Sequence, residues 1–251
     1  MTVPSSPDTR PRILCLHGGG VTAEVFELQS RNIIKALPNF RLVFADGPFF
    51  CDPGPGIVPV YEDKGPFRRW LRWLPKHAEI DSDSAIYEIM YAIESTKDGD
   101  KGTGPWVGLL GFSQGAKLSA SLLYEQQVQV EKRGKADTDY KFAVLLAGRQ
   151  PLVSLSELSR SPALVNPSEL SEGFDFPGKS DHVLKLPTIH VHGLKDDGLH
   201  LHRRLLEQYC DKDSVTLVEW DGIHRVPIKK VDIDPICAQI NRIAKEQGVQ
   251  C

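Results

Sequence analysis

What this 251-residue chain has little of narrows its function first. Its five cysteines, Cys15, Cys51, Cys210, Cys237 and Cys251, form no CxxC pair and no Cys/His metal spacing, and their number is odd. A structural zinc site and a disulfide framework are therefore unsupported, and free thiols in a reducing compartment fit better. Charge of one sign is also missing: 30 Lys and Arg face 33 Asp and Glu for a net −3, without the clustered basic excess that a nucleic-acid partner demands. No apolar run reaches transmembrane length, and the opening MTVPSSPDTRPR is polar and Pro-rich, unlike a signal peptide. The expectation is a cytoplasmic protein that neither spans a membrane nor binds nucleic acid. Internal repeats are absent, as is low-complexity sequence beyond the first few residues.

What is present, 41% hydrophobic and 25% charged residues, suits one soluble domain over 1–251. Short aliphatic or β-branched runs at 12–17, 41–45, 106–111, 141–147, 188–192 and 215–220 read as strands. Longer amphipathic segments at 24–37, 82–96, 114–132, 199–210 and 232–247 read as helices. In the second of these, Ala85, Ile86, Ile89, Met90 and Ile93 recur at helical spacing. The alternation predicts an α/β fold: a mostly parallel sheet of about six strands with helices on both faces. Two stretches break it. Residues 46–75 form a long loop rich in Pro, Gly and aromatics, of a length that is usually functional. Residues 148–187, with a short helix expected near 154–160, read as a cap or lid over a pocket, or as a stretch that wanders over the surface.

The chemistry sits after the strand WVGLLG, where Gly111-Phe112-Ser113-Gln114-Gly115 opens a helical pattern. This is G-x-S-x-G between a strand and a helix, the nucleophile turn of the α/β-hydrolase fold, whose tightness demands small neighbours. A serine hydroxyl needs a base, and in this fold acid and histidine follow in that order. His224, in WDGIHRVP beyond the last strand, stands where the base belongs. His190 and His192 read as satisfied sheet-end residues, and His200 and His202 as surface groups on a helix. For the acid, HVHGLKDDGL offers Asp196 and Asp197; Asp196 is the choice, with Asp197 better placed to cap the following helix. The oxyanion needs two main-chain N–H donors, assigned to Gln114 and, in the glycine run after the first strand, Gly19. That run lacks GK[ST] and G-x-G-x-x-G spacing, which argues against a nucleotide cradle, and His17 reads as an anchor for the loop.

The segments ILCLHGGGVTAEVF, FRLVFADGPFFCDPGPGIVPVY, GPFRRW, LLGFSQGA, HVHGLKDD and DGIHRVP, in this order, resemble the fungal serine-hydrolase family that includes thioesterases and esterases of polyketide gene clusters. The resemblance runs through nearly the whole chain and is weakest at 148–187. By position it puts the nucleophile on Ser113, the acid on Asp196 and the base on His224. It implies hydrolysis of an acyl thioester or ester through an acyl-enzyme, releasing a polyketide or fatty-acyl product in fungal secondary metabolism, with no metal or organic cofactor.

Phe49, Phe50, Tyr61 and Trp70, together with Phe67 and Trp73, fall in the 46–75 loop and could wall an apolar acyl slot, or bury to hold the loop down. Arg68, Arg69, Arg72 and Lys76 beside them form a basic run. Such a run is usually a solvated face, but it makes an acyl carrier protein of a polyketide synthase a candidate partner. A homodimer is left open. The alternatives to the thioesterase are a general carboxylesterase with the same residues and a non-catalytic binding protein on a hydrolase scaffold.

Overall fold

The computed structural model describes residues 6–171, 173–174 and 182–250. In chain order its elements are β1 (Arg12–Leu16), α1 (Ala23–Ala36), β2 (Arg41–Ala45), β3 (Phe49–Phe50), β4 (Arg68–Arg69), α2 (Ser82–Gly99), β5 (Trp106–Phe112), α3 (Gln114–Arg133), β6 (Phe142–Leu146), β7 (Thr188–Gly193), α4 (Leu199–Tyr209), β8 (Val215–Trp220) and α5 (Lys230–Glu246). Helices α1 and α2 begin where a side chain takes up a free main-chain N–H group: Thr22 accepts from Val25 N ahead of α1, and Asp81 from Ser84 N ahead of α2. Helix α3 ends at Gly134, whose φ of 74° is left-handed.

Six strands form one parallel sheet in the order β2-β1-β5-β6-β7-β8. The chain steps outward from β1 to β2, returns to the other side of β1 as β5, and then proceeds away from it. The order thus reverses between β1 and β5, and in open α/β sheets ligands bind off the carboxyl ends of the strands at such a point. Alternate residues serve the two faces. Along β6, Ala143 and Leu145 join a core with α2, α3 and α4, while Phe142, Val144 and Leu146 join a second core with α1 and α5. Strands buried on both faces explain the continuous aliphatic runs in the sequence.

The 46–75 stretch is more ordered than a plain loop. Strands β3 and β4 pair antiparallel, and Gly20 N donates to Arg68 O at 2.9 Å, tying the ribbon to the loop after β1. The helix expected near 154–160 is a run of turns. Its serines compete with helical hydrogen bonding: Ser159 Oγ accepts from Leu155 N and Ser156 N, and Ser156 Oγ from Leu158 N. Much of the 148–187 stretch lies against α3 and α4, with Leu152, Val153, Leu155 and 163–165 buried. Val153 N donates to Ser121 Oγ and Tyr209 Oη to Ala163 O, each at 2.8 Å. Residues 172 and 175–181 of this expected cap lie outside the described residues. Among those described, no helix is long and apolar enough to cross a membrane, and Cys15, Cys51, Cys210 and Cys237 are unpaired by disulfides.

Candidate active site

Ser113 occupies the step from β5 to α3 with φ 53° and ψ −111°, a conformation that a residue with a side chain rarely adopts. Neighbouring glycines permit it. A Cβ on Gly115 would fall on the Leu16 carbonyl, and one on Gly111 on the Gly115 carbonyl. Ser113 N donates to Leu146 O at 2.8 Å, fixing the turn to β6.

The loops after β7 and β8 are laced together: Leu194 N donates to Trp220 O at 2.9 Å and Lys195 N to Gly222 O at 2.8 Å. This brings Asp196 to His224. Asp196 Oδ2 is 2.6 Å from His224 Nδ1, and His224 Nε2 is 3.0 Å from Ser113 Oγ. Since an ionised carboxylate can only accept, Nδ1 carries the ring proton and Nε2 is free to accept from the serine. The other carboxylate oxygen, Oδ1, accepts from Gly198 N at 2.8 Å. Burial works against the Asp196 charge, but the His224 ring and the Gly198 N–H outweigh it and hold the pKa below the ordinary carboxylate value. Burial likewise lowers the His224 pKa, against the pull of Asp196, and the Arg149 guanidinium lowers it further. Asp197 is exposed, and α4 starts from Gly198 without a side-chain cap, so the capping role expected of Asp197 is not seen.

Among the described residues, the main-chain N–H groups of Gly19 and Gln114 have no hydrogen-bond partner. Trp73 closes over the first of them: a Cβ on Gly19 would meet its ring at 2.7 Å. The Gln114 side chain holds the same wall, accepting from Trp70 N at 2.7 Å and Leu71 N at 3.0 Å and donating to Leu71 O at 3.1 Å. His17 is fully buried and accepts from Gly47 N at 2.8 Å, tying the glycine loop to the start of the 46–75 stretch as expected of an anchor.

Of the expected pocket aromatics, Trp70 is corrected. It has no exposed surface and packs in the core with its ring 5.4 Å from His17, so it cannot meet a substrate in this conformation. Phe49 is half-buried under the Arg69 guanidinium, and Phe50 is exposed with Arg68 over its ring. Tyr61 packs against the core shared by α1 and α5. Phe112 packs its ring against His224, with centroids 5.1 Å apart. Nor is the basic run one solvated face. Arg69 is buried, Arg72 pairs with Glu79 at 3.1 Å and Lys76 with Asp52 at 2.5 Å.

His202 is also corrected from surface to core. It shares the inward stripe of α4 with Leu205 and Tyr209, and its Nε2 lies 3.7 Å from Asp196 Oδ2. Its ring continues a row that runs from His224 through His192 to His190, at centroid separations of 6.1, 5.6 and 5.9 Å. Burial pushes the His202 pKa down to about 3 and that of His192 to about 4, so both are neutral at physiological pH. Sequence reading also passed over Arg149, whose guanidinium lies 3.9 Å from Asp196 Oδ1, and Lys117, one helical turn beyond Ser113. Lys117 is buried with Nζ on Ser171 Oγ at 2.8 Å, and burial pushes its pKa down to about 7. The spacing of His202, Leu205 and Tyr209 carried the missed signal for His202; Arg149 and Lys117 had none.

A parallel sheet whose switch point carries a serine on a strained strand-to-helix turn, hydrogen-bonded to an imidazole, defines an α/β-hydrolase. The Serine hydrolase (FSH1) family model matches residues 5–236, and the chain belongs to that family of hydrolases. It is 51% identical over 245 residues to "Esterase citA" of Monascus ruber, covering 95% of this chain and 94% of that one. It is 47% identical over 260 residues to "Esterase claE" of Penicillium crustosum, covering 99% and 98%. Among solved structures, the esterase PE8 superposes with a TM-score of 0.55 at 16% identity over 94% of each chain. Acyl-protein thioesterase 2 of Zea mays gives 0.52 at 17% identity over 96% of each, a likeness of fold.

Proposed function

We propose that the whole chain acts as one hydrolase domain in which Ser113, His224 and Asp196 cleave a small acyl oxygen ester or thioester of fungal secondary metabolism through an acyl-enzyme. The observation that carries this reading is the continuous line from Ser113 Oγ to His224 Nε2 and from His224 Nδ1 to Asp196 Oδ2, at 3.0 and 2.6 Å. As Ser113 Oγ bonds to the substrate carbonyl, its proton passes to His224 Nε2, and Asp196 stabilises the imidazolium. The unpartnered N–H groups of Gly19 and Gln114 are suited to hold the oxyanion. His224 returns the proton to the departing alkoxide or thiolate. Water then gives its proton to His224 and attacks the acyl-serine, releasing the carboxylic acid and restoring Ser113. The names of the relatives make an oxygen ester the first substrate to try, with a matched thioester and its acyl-carrier-protein conjugate beside it.

A fluorophosphonate probe followed by mass spectrometry tests the assignment. The expected result is one adduct on the Ser113 peptide, absent in Ser113→Ala, with ester turnover reduced by roughly 10^4- to 10^6-fold in that variant. Equal labelling of Ser113→Ala would overturn it.

A further inference from the structure

Asp196, His202 and His224 each bring one ligating atom within 4.8 Å of the other two. His202 is the unexplained member. Its side chain has no exposed surface, and neither ring nitrogen has a hydrogen-bond partner among the described residues, although Nε2 approaches Asp196 Oδ2 to 3.7 Å. A buried polar group left in this way calls for a ligand or a role. We infer that His202, Asp196 and His224 form an inhibitory site for a single transition-metal ion of the Zn2+ type.

The donor set is two imidazoles and a carboxylate, which suits Zn2+ and its neighbours, whereas Mg2+ and Ca2+ favour oxygen ligands. Zinc at about 2.0–2.2 Å from each donor places neighbouring donors roughly 3.3–3.5 Å apart. The 3.7 Å between His202 and Asp196 is close to that spacing, and the 2.6 Å between His224 and Asp196 must widen. Widening is what metal binding would do, because the ion takes the place of the proton between Nδ1 and Oδ2. Access is available from the His224 side, one third exposed, while the Asp196 and His202 side chains are sealed within the protein. A fourth position facing that opening is left for water.

Inhibition follows from the tautomer and rests on the reaction proposed above. A neutral imidazole bound to metal through Nδ1 carries its one proton on Nε2. It then presents a donor to Ser113 Oγ where the reaction needs an acceptor, and the serine loses its base. The exchange needs no net proton release: the proton leaves Nδ1 and one is taken up at Nε2.

The experiment uses metal-stripped protein, ZnCl2 as inhibitor of ester hydrolysis, and CoCl2 as a spectroscopic probe on Ser113→Ala protein, where binding is read without turnover. The expected result is one Co2+ per chain with visible bands of low coordination number, competed away by Zn2+. Micromolar Zn2+ should inhibit the wild type, and EDTA should reverse the effect. His202→Gln and His202→Phe, each referred to its own metal-free rate, should need roughly tenfold more Zn2+ or higher. Unchanged zinc sensitivity in a folded His202 variant, or no Co2+ spectrum at 100-fold molar excess over protein, overturns the site. Failure of the hydrolase reading would appear instead as absent probe labelling while Co2+ still binds.

Discussion

The charge on His224 is set by opposing neighbours, which makes its titration a readout of the site. Burial is the largest influence and disfavours the imidazolium; the Asp196 carboxylate favours it, and the Arg149 guanidinium opposes it. The net pKa lies below the ordinary value of 6.5. In the proposed reaction His224 is the general base and works only while neutral, so activity is lost as pH falls through that lowered pKa. The acid limb of kcat/KM for a neutral ester is therefore expected to have its midpoint below pH 6.5. Arg149→Gln removes the cation that lies 3.9 Å from Asp196 and disfavours the imidazolium, so the midpoint should move upward. A pH-rate profile of both proteins checks this, and a wild-type midpoint above 6.5 or an upward shift missing from Arg149→Gln would contradict it. Single residues were unevenly legible in the sequence. Ser113 announced itself because its turn tolerates so few neighbours. Trp70 and Trp73 could not be told apart, since an irregular segment has no period to say which ring turns inward. His202 reads as a surface group because it opens a helix with a polar exposed face, whereas its spacing with Leu205 and Tyr209 puts it on the inward stripe.

At the scale of elements, α3 does two things at its first turn: it presents Ser113 and, through the Gln114 side chain, grips the chain just beyond β4. That grip satisfies the main-chain N–H groups of Trp70 and Leu71, both in buried residues, and the Leu71 carbonyl. Through it the helix start is coupled to the segment that lays Trp73 over Gly19. Gln114→Ala leaves two buried donors unpaired and should cost about 1–3 kcal/mol of stability. It should also lower kcat, as the Gly19 wall loosens. Gln114→Glu keeps an oxygen to accept from both N–H groups but sets a second carboxylate oxygen, which cannot donate, against Leu71 O, so it too should melt below wild type. Equal melting of all three would refute the latch. The main strands and the five helices could be read in the sequence to within a few residues, because a parallel strand buried on both faces is an unbroken aliphatic run and an amphipathic helix has its own period. Ribbon β3–β4 could not, since two-residue strands carry no pattern and are held by pairing with the distant loop after β1.

Across the whole molecule the two ends of the sheet divide the work. Ser113, Asp196 and His224 lie beyond the carboxyl ends of β5, β7 and β8, whereas the amino ends of β1 and β2 carry Arg12 and Arg41, joined by Asp100 at the end of α2. The Asp100 carboxylate accepts from Arg41 Nε at 2.9 Å, Arg12 Nη1 at 3.4 Å and Gly102 N at 3.1 Å, with its side chain 3% exposed. Hydrogen bonding from Arg41 is the chief reason its pKa sits below the ordinary 3.8, and burial opposes it. A carboxyl group with a lowered folded-state pKa adds stability above its unfolded pKa, and that stability disappears as pH falls through the folded value. Asp100→Asn should therefore lower the melting temperature at pH 7, by an amount equivalent to roughly 1–3 kcal/mol. The gap from wild type should close as the solution is acidified well below pH 3.8. Because the substitution lies at the opposite end of the strands from the serine, kcat/KM for ester hydrolysis at 25 °C should stay within about twofold of wild type. A melt series across pH, paired with rates at pH 7, separates the two ends: a large fall in kcat/KM with an unchanged melt would mean that the amino end of the sheet is coupled to the chemistry after all.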